Sequence, residues 1–580
     1  MTNIQNPKDM SRRKFIALAG GAAGFAAMAA MGLSIGSGEC NANIPEIDID
    51  KIRYAEKEAD VLVVGSGMAG LFAAVKAHDA GARVLMVSKG RLGSSGMTPF
   101  AKGIFAYDPA KEKLTLDAFV DKVSRSALGT NNPVFTRQMA EHSLARVKEL
   151  KAWGFFDSPL YFDSFNRPIK ERNIPVIERV MITHLIKEDG KIAGAAGFCI
   201  DELKVYVFEA KSVVLCSGAG GFKPNGFPIC DLTHDGTVMA YEIGAKVTGK
   251  EWNDGHPGQA TNAAACYDGW HGMFDRKPGL TGVEVHHDLG VDLNYRAYMT
   301  GNPIEMGTPG TGEDNEAEGG PYVPNEFKRN GPPHGERRNR PGGPPKEGGA
   351  PPGMAGTIVG GSSAGMSIHK SEGLVPINEK CASNIQGLYA AGDALGSYMA
   401  GAIYTQVGSS LAGSAVQGAI AGKAASEYCM GVDMPKITKS KMNGVRAEIL
   451  APLKREVGYS PAWVTQTLQG IMIPNFILYI KKENLLKAAL AYVEELRDHH
   501  IPMLRAADMH ELRLAFETAN MITSAEMKLR ASLMRKESRC SHYRLDYPDL
   551  DTKNWNAWIN IYKGRDGSMK LEKQPFGSWL

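Results

Sequence analysis

Ala59-Asp60-Val61-Leu62-Val63-Val64 runs directly into Gly65-Ser66-Gly67-Met68-Ala69-Gly70, and residues 71–80 continue at helical spacing. A short apolar run bounded by spaced glycines reads as a buried strand and a tight turn, with a helix behind it. A second strand is expected over residues 83–88, after Gly81. The order strand, glycine turn, helix, strand is a βαβ unit whose helix N-terminus offers positive potential to a pyrophosphate. Gly65 permits the turn, Gly67 lets backbone N–H groups approach the phosphates, and Gly70 lets the helix press on the strand, with Met68 and Ala69 between them. Dinucleotide binding follows from that context.

Which dinucleotide is decided elsewhere in the chain. The second strand ends in Ser88-Lys89, where a nicotinamide enzyme usually places an acidic ribose ligand. Residues 212–222 form a strand that breaks into glycines at Ser217-Gly218, and residues 387–395 form another that ends in Gly392-Asp393. Three glycine-broken strand ends in one chain argue for FAD, with the terminal acid toward the ribityl chain and the following helix N-terminus toward the isoalloxazine.

The 580 residues allow two large domains or several smaller ones, with length for a deep core. The 66 basic and 63 acidic side chains leave +3, which gives no electrostatic footprint for nucleic acid. Eight cysteines include no CxxC or CxxCH pair, so no c-type haem, iron–sulfur cluster or zinc site is expected, and electrons must come from outside. Ser11-Arg12-Arg13-Lys14-Phe15-Ile16 before an Ala/Gly-rich apolar stretch reads as a twin-arginine export signal over residues 1–42. No other segment has eighteen consecutive apolar residues, so the exported form is expected to be soluble in the periplasm or at the exterior of the cell envelope. The expected division is an FAD-binding domain over 55–250 and 358–435, a capping domain over 251–357, a helical domain over 436–540 and a tail over 541–580. Within the cap, residues 302–356 turn to proline, glycine and mixed charge, a composition expected to form a long surface excursion.

The fingerprint, the loop at residues 92–104, the segment at residues 233–245 and the Gly392-Asp393 strand end stand in an order that resembles the flavoprotein subunits of fumarate reductase and succinate dehydrogenase. Leu533-Met534-Arg535-Lys536-Glu537-Ser538-Arg539, with His542-Tyr543-Arg544-Leu545-Asp546 and Asn554-Trp555, is similar to the C-terminal signature of that group, and especially to the α subunit of adenylylsulfate reductase. The resemblance implies an α/β fold: a doubly wound, Rossmann-like FAD domain with an inserted α+β cap and a C-terminal helical domain. It implies FAD contacts at Ser88, Lys89, Ser94, Ser95, Gly96, Gly103, Asp235, Ser409, Ser410 and Leu411. Covalently flavinylated members carry a histidine where this chain has Gly96, so FAD is expected to be non-covalent. The histidine segment and the arginine that hold a dicarboxylate in the fumarate enzymes are replaced around residues 362–368 and 405–411, which disfavours plain fumarate or succinate.

His256 lies where the family places a substrate-contacting histidine, and Arg296 or Arg276 stands for its proton-donating cap arginine. Tyr404 could hydrogen-bond a substrate carbonyl, as tyrosines do in flavoprotein ketosteroid dehydrogenases; His369 and the pair His286-His287 are weaker options. The expected activity is reduction of an activated C=C bond by hydride from flavin N5, with electrons from a cytochrome or quinol-linked partner. The alternatives are a dehydrogenase running the desaturation direction, or a flavoprotein subunit without net redox turnover.

Overall fold

The structure, a computed structural model, describes residues 48–100, 104–112, 114–157, 161–223, 231–253, 258–259, 304–306, 356–359, 371–402 and 408–580. Its central sheet grows from β1 (Arg53–Val64), whose last six residues are the apolar run that opens the fingerprint. The other strands are β2 (Val84–Val87), β3 (Val176–Ile177), β4 (Val180–Glu188), β5 (Lys191–Cys199) and β6 (Lys204–Leu215). Their order is β3-β2-β1-β6-β5-β4. β1 pairs in parallel with β2 and, along its whole length, with β6; β4 and β5 are antiparallel additions.

A smaller sheet joins β7 (Val247–Thr248), β8 (Gly373–Leu374), β10 (Ala557–Lys563) and β11 (Met569–Pro575). Between them, β9 (Leu388–Ala390) adds to β6 in parallel beside Val213–Leu215. β6 therefore forks: its first half pairs with β5 and its last three residues with β9. Five parallel strands then end on one edge, at Ile177, Val87, Val64, Leu215 and Ala390. In open α/β sheets that carboxyl edge is where ligands bind.

Helix α1 (Met68–Asp79) begins inside the fingerprint, three residues earlier than the periodicity suggested, because Met68, Ala69 and Gly70 already have helical backbone. Helix α2 (Asp235–Glu242) follows His234. The long α3 (Ser409–Met430) lies against α1 through two glycines: a β-carbon on Gly418 would meet Ala69 O at 2.2 Å, and one on Gly422 would meet Ala73 O at 2.2 Å. Helix contact this close requires glycine on one partner.

Residues 439–534 are mostly helical; helical spacing over 509–516 and again over 523–534 suggests two helices, but the structure has one, α4 (Met509–Met534). The intervening Glu517, Thr518 and Asn520 are polar yet buried, which hid the continuous buried face from a hydrophobicity reading. The expected tail carries the hairpin β10–β11, in which Trp558, Ile559 and Ile561 are buried. Strands at Gly258–Gln259, Ile304–Met306 and Gly356–Val359 form a three-stranded sheet in the expected cap region. Among the described residues no helix is long and apolar enough to cross a membrane.

Candidate functional site

The carboxyl edge of the central sheet is built for something larger than the protein's own packing requires. Gly65 has φ +114°, and a β-carbon there would lie 2.2 Å from Cys216 O; one on Gly70 would lie 1.9 Å from Gly65 O. Those two glycines are demanded by the fold. Gly67 is not: its φ is −75°, and a β-carbon would meet only Thr98 Oγ1, at 3.3 Å. A glycine that packing does not require leaves room for a ligand beside the start of α1.

Two helices aim their N-termini from this edge. Gly67 precedes α1 and Gly408, at φ +77°, precedes α3, and neither helix has a side-chain cap. Met68 N–H donates to Thr98 Oγ1 at 3.1 Å from the loop that follows β2. Two buried hydroxyls, Ser217 Oγ after β6 and Ser410 Oγ in the first turn of α3, have no hydrogen-bond partner among the described residues. Helix-end N–H groups, free hydroxyls and the positive ends of two helices suit a phosphate-bearing ligand with hydroxyls. FAD fits that donor set: the α1 end and Gly67 would take its pyrophosphate, Ser217 and Ser410 its polar edges.

Most of the predicted cofactor residues fall into three groups. Gly65, Gly67, Met68, Ala69, Gly70, Ser217, Gly218, Gly392, Asp393, Ser409, Ser410 and Leu411 belong to the turns and helix starts of this edge. Ser88 Oγ lies 2.6 Å from Ser66 Oγ and fixes the β1 and β2 turns to one another. Ser94, Ser95 and Gly96 belong to the loop after β2, where Ser94 and Ser95 line a cleft of about 480 Å³ with Lys89, Arg91, Arg179, Asp201, Asp231, His510 and Arg513. Gly96 N–H donates to Asp231 Oδ2 at 2.9 Å.

Lys89 and Asp235 are brought together at 2.6 Å. Lys89 Nζ also donates to Thr233 Oγ1 and to the fully buried Glu517 Oε1 of α4, at 3.1 and 3.0 Å. Asp235 accepts from Asn520 at 2.9 Å. Both predicted cofactor residues are therefore joints between the sheet edge and the helical region. Gly103, His256, Arg276, His286, His287, Arg296, His369 and Tyr404 lie outside the described residues.

Sequence reasoning missed a buried ionic layer beside this edge. Lys250 and Glu372 form a fully buried pair, and His234 Nδ1 lies 3.2 Å from the same Glu372 oxygen. Burial, and the Lys250 charge next, push His234 down to about 4, so its ring is neutral at neutral pH. Burial would raise Glu372, but Lys250 and His234 hold its carboxyl well below the usual range. Lys528 Nζ donates to the carbonyls of Lys250 and Trp252 at 2.9 and 2.7 Å, and burial lowers it to about 8. Glu251 Oε1 accepts from Arg535 at 2.9 and 3.0 Å, and Arg535 also stacks over the Trp252 ring at 4.5 Å. This clamp holds residues 249–253, which run straight into the segment carrying His256. The signal in the sequence is the adjacent charges Lys250-Glu251 beside Trp252, whose burial no single-chain pattern announces.

Comparison with known proteins agrees with this arrangement. Residues 60–167 match a model described as an FAD binding domain, and residues 465–578 match one described as the fumarate reductase flavoprotein C-terminus. An uncharacterized FAD-dependent oxidoreductase of Methanocaldococcus jannaschii is 26% identical over 577 residues, covering 90% of this chain and 100% of that protein. One subunit of the fumarate reductase (CoM/CoB) of Methanothermobacter marburgensis is 26% identical over 595 residues, covering 90% of this chain and 99% of that protein. The solved adenylylsulfate reductase of Archaeoglobus fulgidus superposes with a TM-score of 0.67 over 92% of this chain and 99% of that one, at 20% identity, a likeness of fold. The chain is an FAD-dependent oxidoreductase, similar in its FAD-binding and C-terminal parts to the fumarate reductase flavoproteins.

Proposed function

We propose that this chain is an exported reductase of an activated C=C bond, of enoate or enone type, that holds FAD without a covalent link. Its electrons come from an external partner such as a cytochrome or a quinol-linked protein. The observation that carries the reading is the clamp on residues 249–253: Lys528 and Arg535 fix a strand end beside the cofactor edge, and that strand end leads to His256. Such rigid support is what a substrate-contacting side chain needs to keep its geometry.

When bound, FAD supplies hydride to the β carbon of the alkene. Gly65, Gly67, Gly70, Ser217 and Ser410 hold the cofactor. His256 donates a hydrogen bond to the carbonyl oxygen on which negative charge develops, with Tyr404 as its companion, and Arg296 delivers a proton to the α carbon. Non-covalent attachment is supported by Gly96, which offers no nucleophile and whose amide is already held by Asp231. Substrates other than plain fumarate or succinate are supported by the replacements around residues 362–368 and 405–411. Export is supported by Arg12-Arg13 ahead of the apolar stretch.

The test is an assay of purified protein with reduced viologen against a panel of enoates, enones and aryl acrylates. Oxidation of the viologen by at least one of them is expected. Dye reduction by a saturated acid or ketone, with no alkene accepted, would refute the reductase and support the desaturating direction. Replacing Arg12 and Arg13 by lysine should leave the protein in the cytoplasm, and unchanged export would refute the twin-arginine reading.

A further inference from the structure

His234 carries two costs that folding does not require. It precedes α2 in the left-handed backbone region, φ +63°, a conformation that residues with a β-carbon adopt rarely and that clusters at functional sites. Its side chain is also buried, 2% of the residue being exposed, and Nε2 has no hydrogen-bond partner among the described residues. A buried polar atom left without a partner is uncommon unless a ligand or water completes it.

The state of that ring follows from its neighbours. Ionised Glu372 can only accept, and its Oε1 lies 3.2 Å from His234 Nδ1. Lys250 Nζ binds the same oxygen and donates to Ser524 Oγ at 3.1 Å, so this lysine fixes the carboxylate that fixes the ring. Nδ1 also has the Lys250 ammonium at 3.4 Å, but the carboxylate is nearer and Lys250 is already engaged by Glu372 and Ser524. With the Nδ1 proton toward the carboxylate, Nε2 presents a bare lone pair. The ring lies against the cofactor edge: a β-carbon on Gly220 would fall 2.1–2.3 Å from its Cγ, Nδ1 and Cδ2. Gly220 is three residues beyond Ser217, whose Oγ also has no partner among the described residues. Two orphan polar atoms are thus gathered around one turn of the FAD cradle.

We propose that His234 is a further FAD-contacting residue of this chain, fixed by Glu372 and Lys250 so that Nε2 accepts a hydrogen bond from an N–H or O–H of the bound cofactor. The inference rests on FAD binding alone and is independent of the substrate.

The test uses the full chain, stripped of FAD and titrated with it by flavin fluorescence, with the flavin midpoint potential measured on reloaded protein. His234→Asn is the informative variant. Asparagine tolerates the left-handed region, its amide N–H can replace Nδ1 toward Glu372, and no atom reaches the Nε2 position. FAD should bind about tenfold more weakly, the loss of one hydrogen bond, and the midpoint should shift, while the melting temperature of the FAD-free protein stays the same. His234→Gln, whose carbonyl can reach the Nε2 position, should recover most of the affinity. Glu372→Gln, which can turn the tautomer over, should weaken FAD similarly, and the double variant should add little more. The proposal is overturned if His234→Asn binds FAD within twofold of the parent with an unchanged midpoint. It is equally overturned if the affinity loss is matched by a loss of apoprotein stability that glutamine does not rescue.

Discussion

Replacing Glu517 by glutamine tests whether the buried ion network ties the helical region to the cofactor edge. The Glu517 carboxylate, fully buried on α4, accepts from Lys89 at 3.0 Å, from Arg513 at 2.9 Å and from Lys223. Burial alone would raise its pKa, but the Lys89, Lys223 and Arg513 charges overcome that and bring it from 4.5 to about 2. A difference of about 2.5 units at 1.36 kcal/mol each makes ionised Glu517 worth roughly 3 kcal/mol to the folded state. Between pH 4.5 and 2 the unfolded chain binds the proton and the folded one does not, so stability rises with pH across that window. The contribution is complete above about pH 4.5 and disappears as pH falls through about 2. Glu517→Gln should therefore cost roughly 3 kcal/mol at pH 7, within the 3–5 kcal/mol typical of removing one partner of a buried pair. Urea denaturation at fixed excess FAD reads the difference, and the gap between parent and variant should shrink by more than half at pH 3. A gap below about 1 kcal/mol, or one that does not change with pH, would refute the network's role.

Four further outcomes follow from the same geometry. Gly67→Val should yield folded protein without FAD, because the added side chain meets little of the protein and fills the space beside the α1 N-terminus; absorbance at the flavin band checks it. Acid precipitation should release the flavin into the supernatant, and fluorescence retained on the denatured polypeptide would contradict a non-covalent site at Gly96. Gly418→Leu should cost at least about 2–3 kcal/mol by thermal melting, since its β-carbon alone would approach Ala69 O to 2.2 Å and α1 must move away from α3. His256→Ala should slow reoxidation of pre-reduced flavin by substrate about 100- to 1000-fold in rapid mixing while FAD stays bound, and an unchanged rate at full occupancy would remove His256 from the mechanism.

The central sheet was legible because its strands announce themselves twice, in apolar runs and in the glycines that end them. Val61–Val64 and the strand after Lys211 are buried on both faces, so their continuous hydrophobicity needs no partner to interpret. The forked pairing of β6 was not legible, since nothing in residues 204–215 distinguishes the half that meets β5 from the half that meets β9. The roles of Lys89 and Asp235 were only half legible for a related reason. Their position after strands pointed to the cofactor, but a single chain read in order does not show that Glu517 and Asn520, almost three hundred residues beyond Asp235, would reach the same spot.

The C-terminal signature shows what such a long-range contact is for. Arg535, Glu537 and Arg539 are buried charges, which are costly to take from water and tolerated only when fully paired. Arg535 binds Glu251, Glu537 and the Ala557 carbonyl at once, and Glu537 passes the connection to Arg539, which reaches the Leu128 carbonyl. One arginine thereby links the strand end before His256, the helix end at Met534 and the terminal hairpin. The signature contributes no atom to the cofactor edge described above. It acts by position, because loss of any member would leave a buried charge unpaired and loosen residues 249–253 first. Specificity of geometry, more than net stability, is the consistent reason for burying so many charges here, since apolar side chains of similar volume would hold the same space without fixing the direction of the chain toward His256.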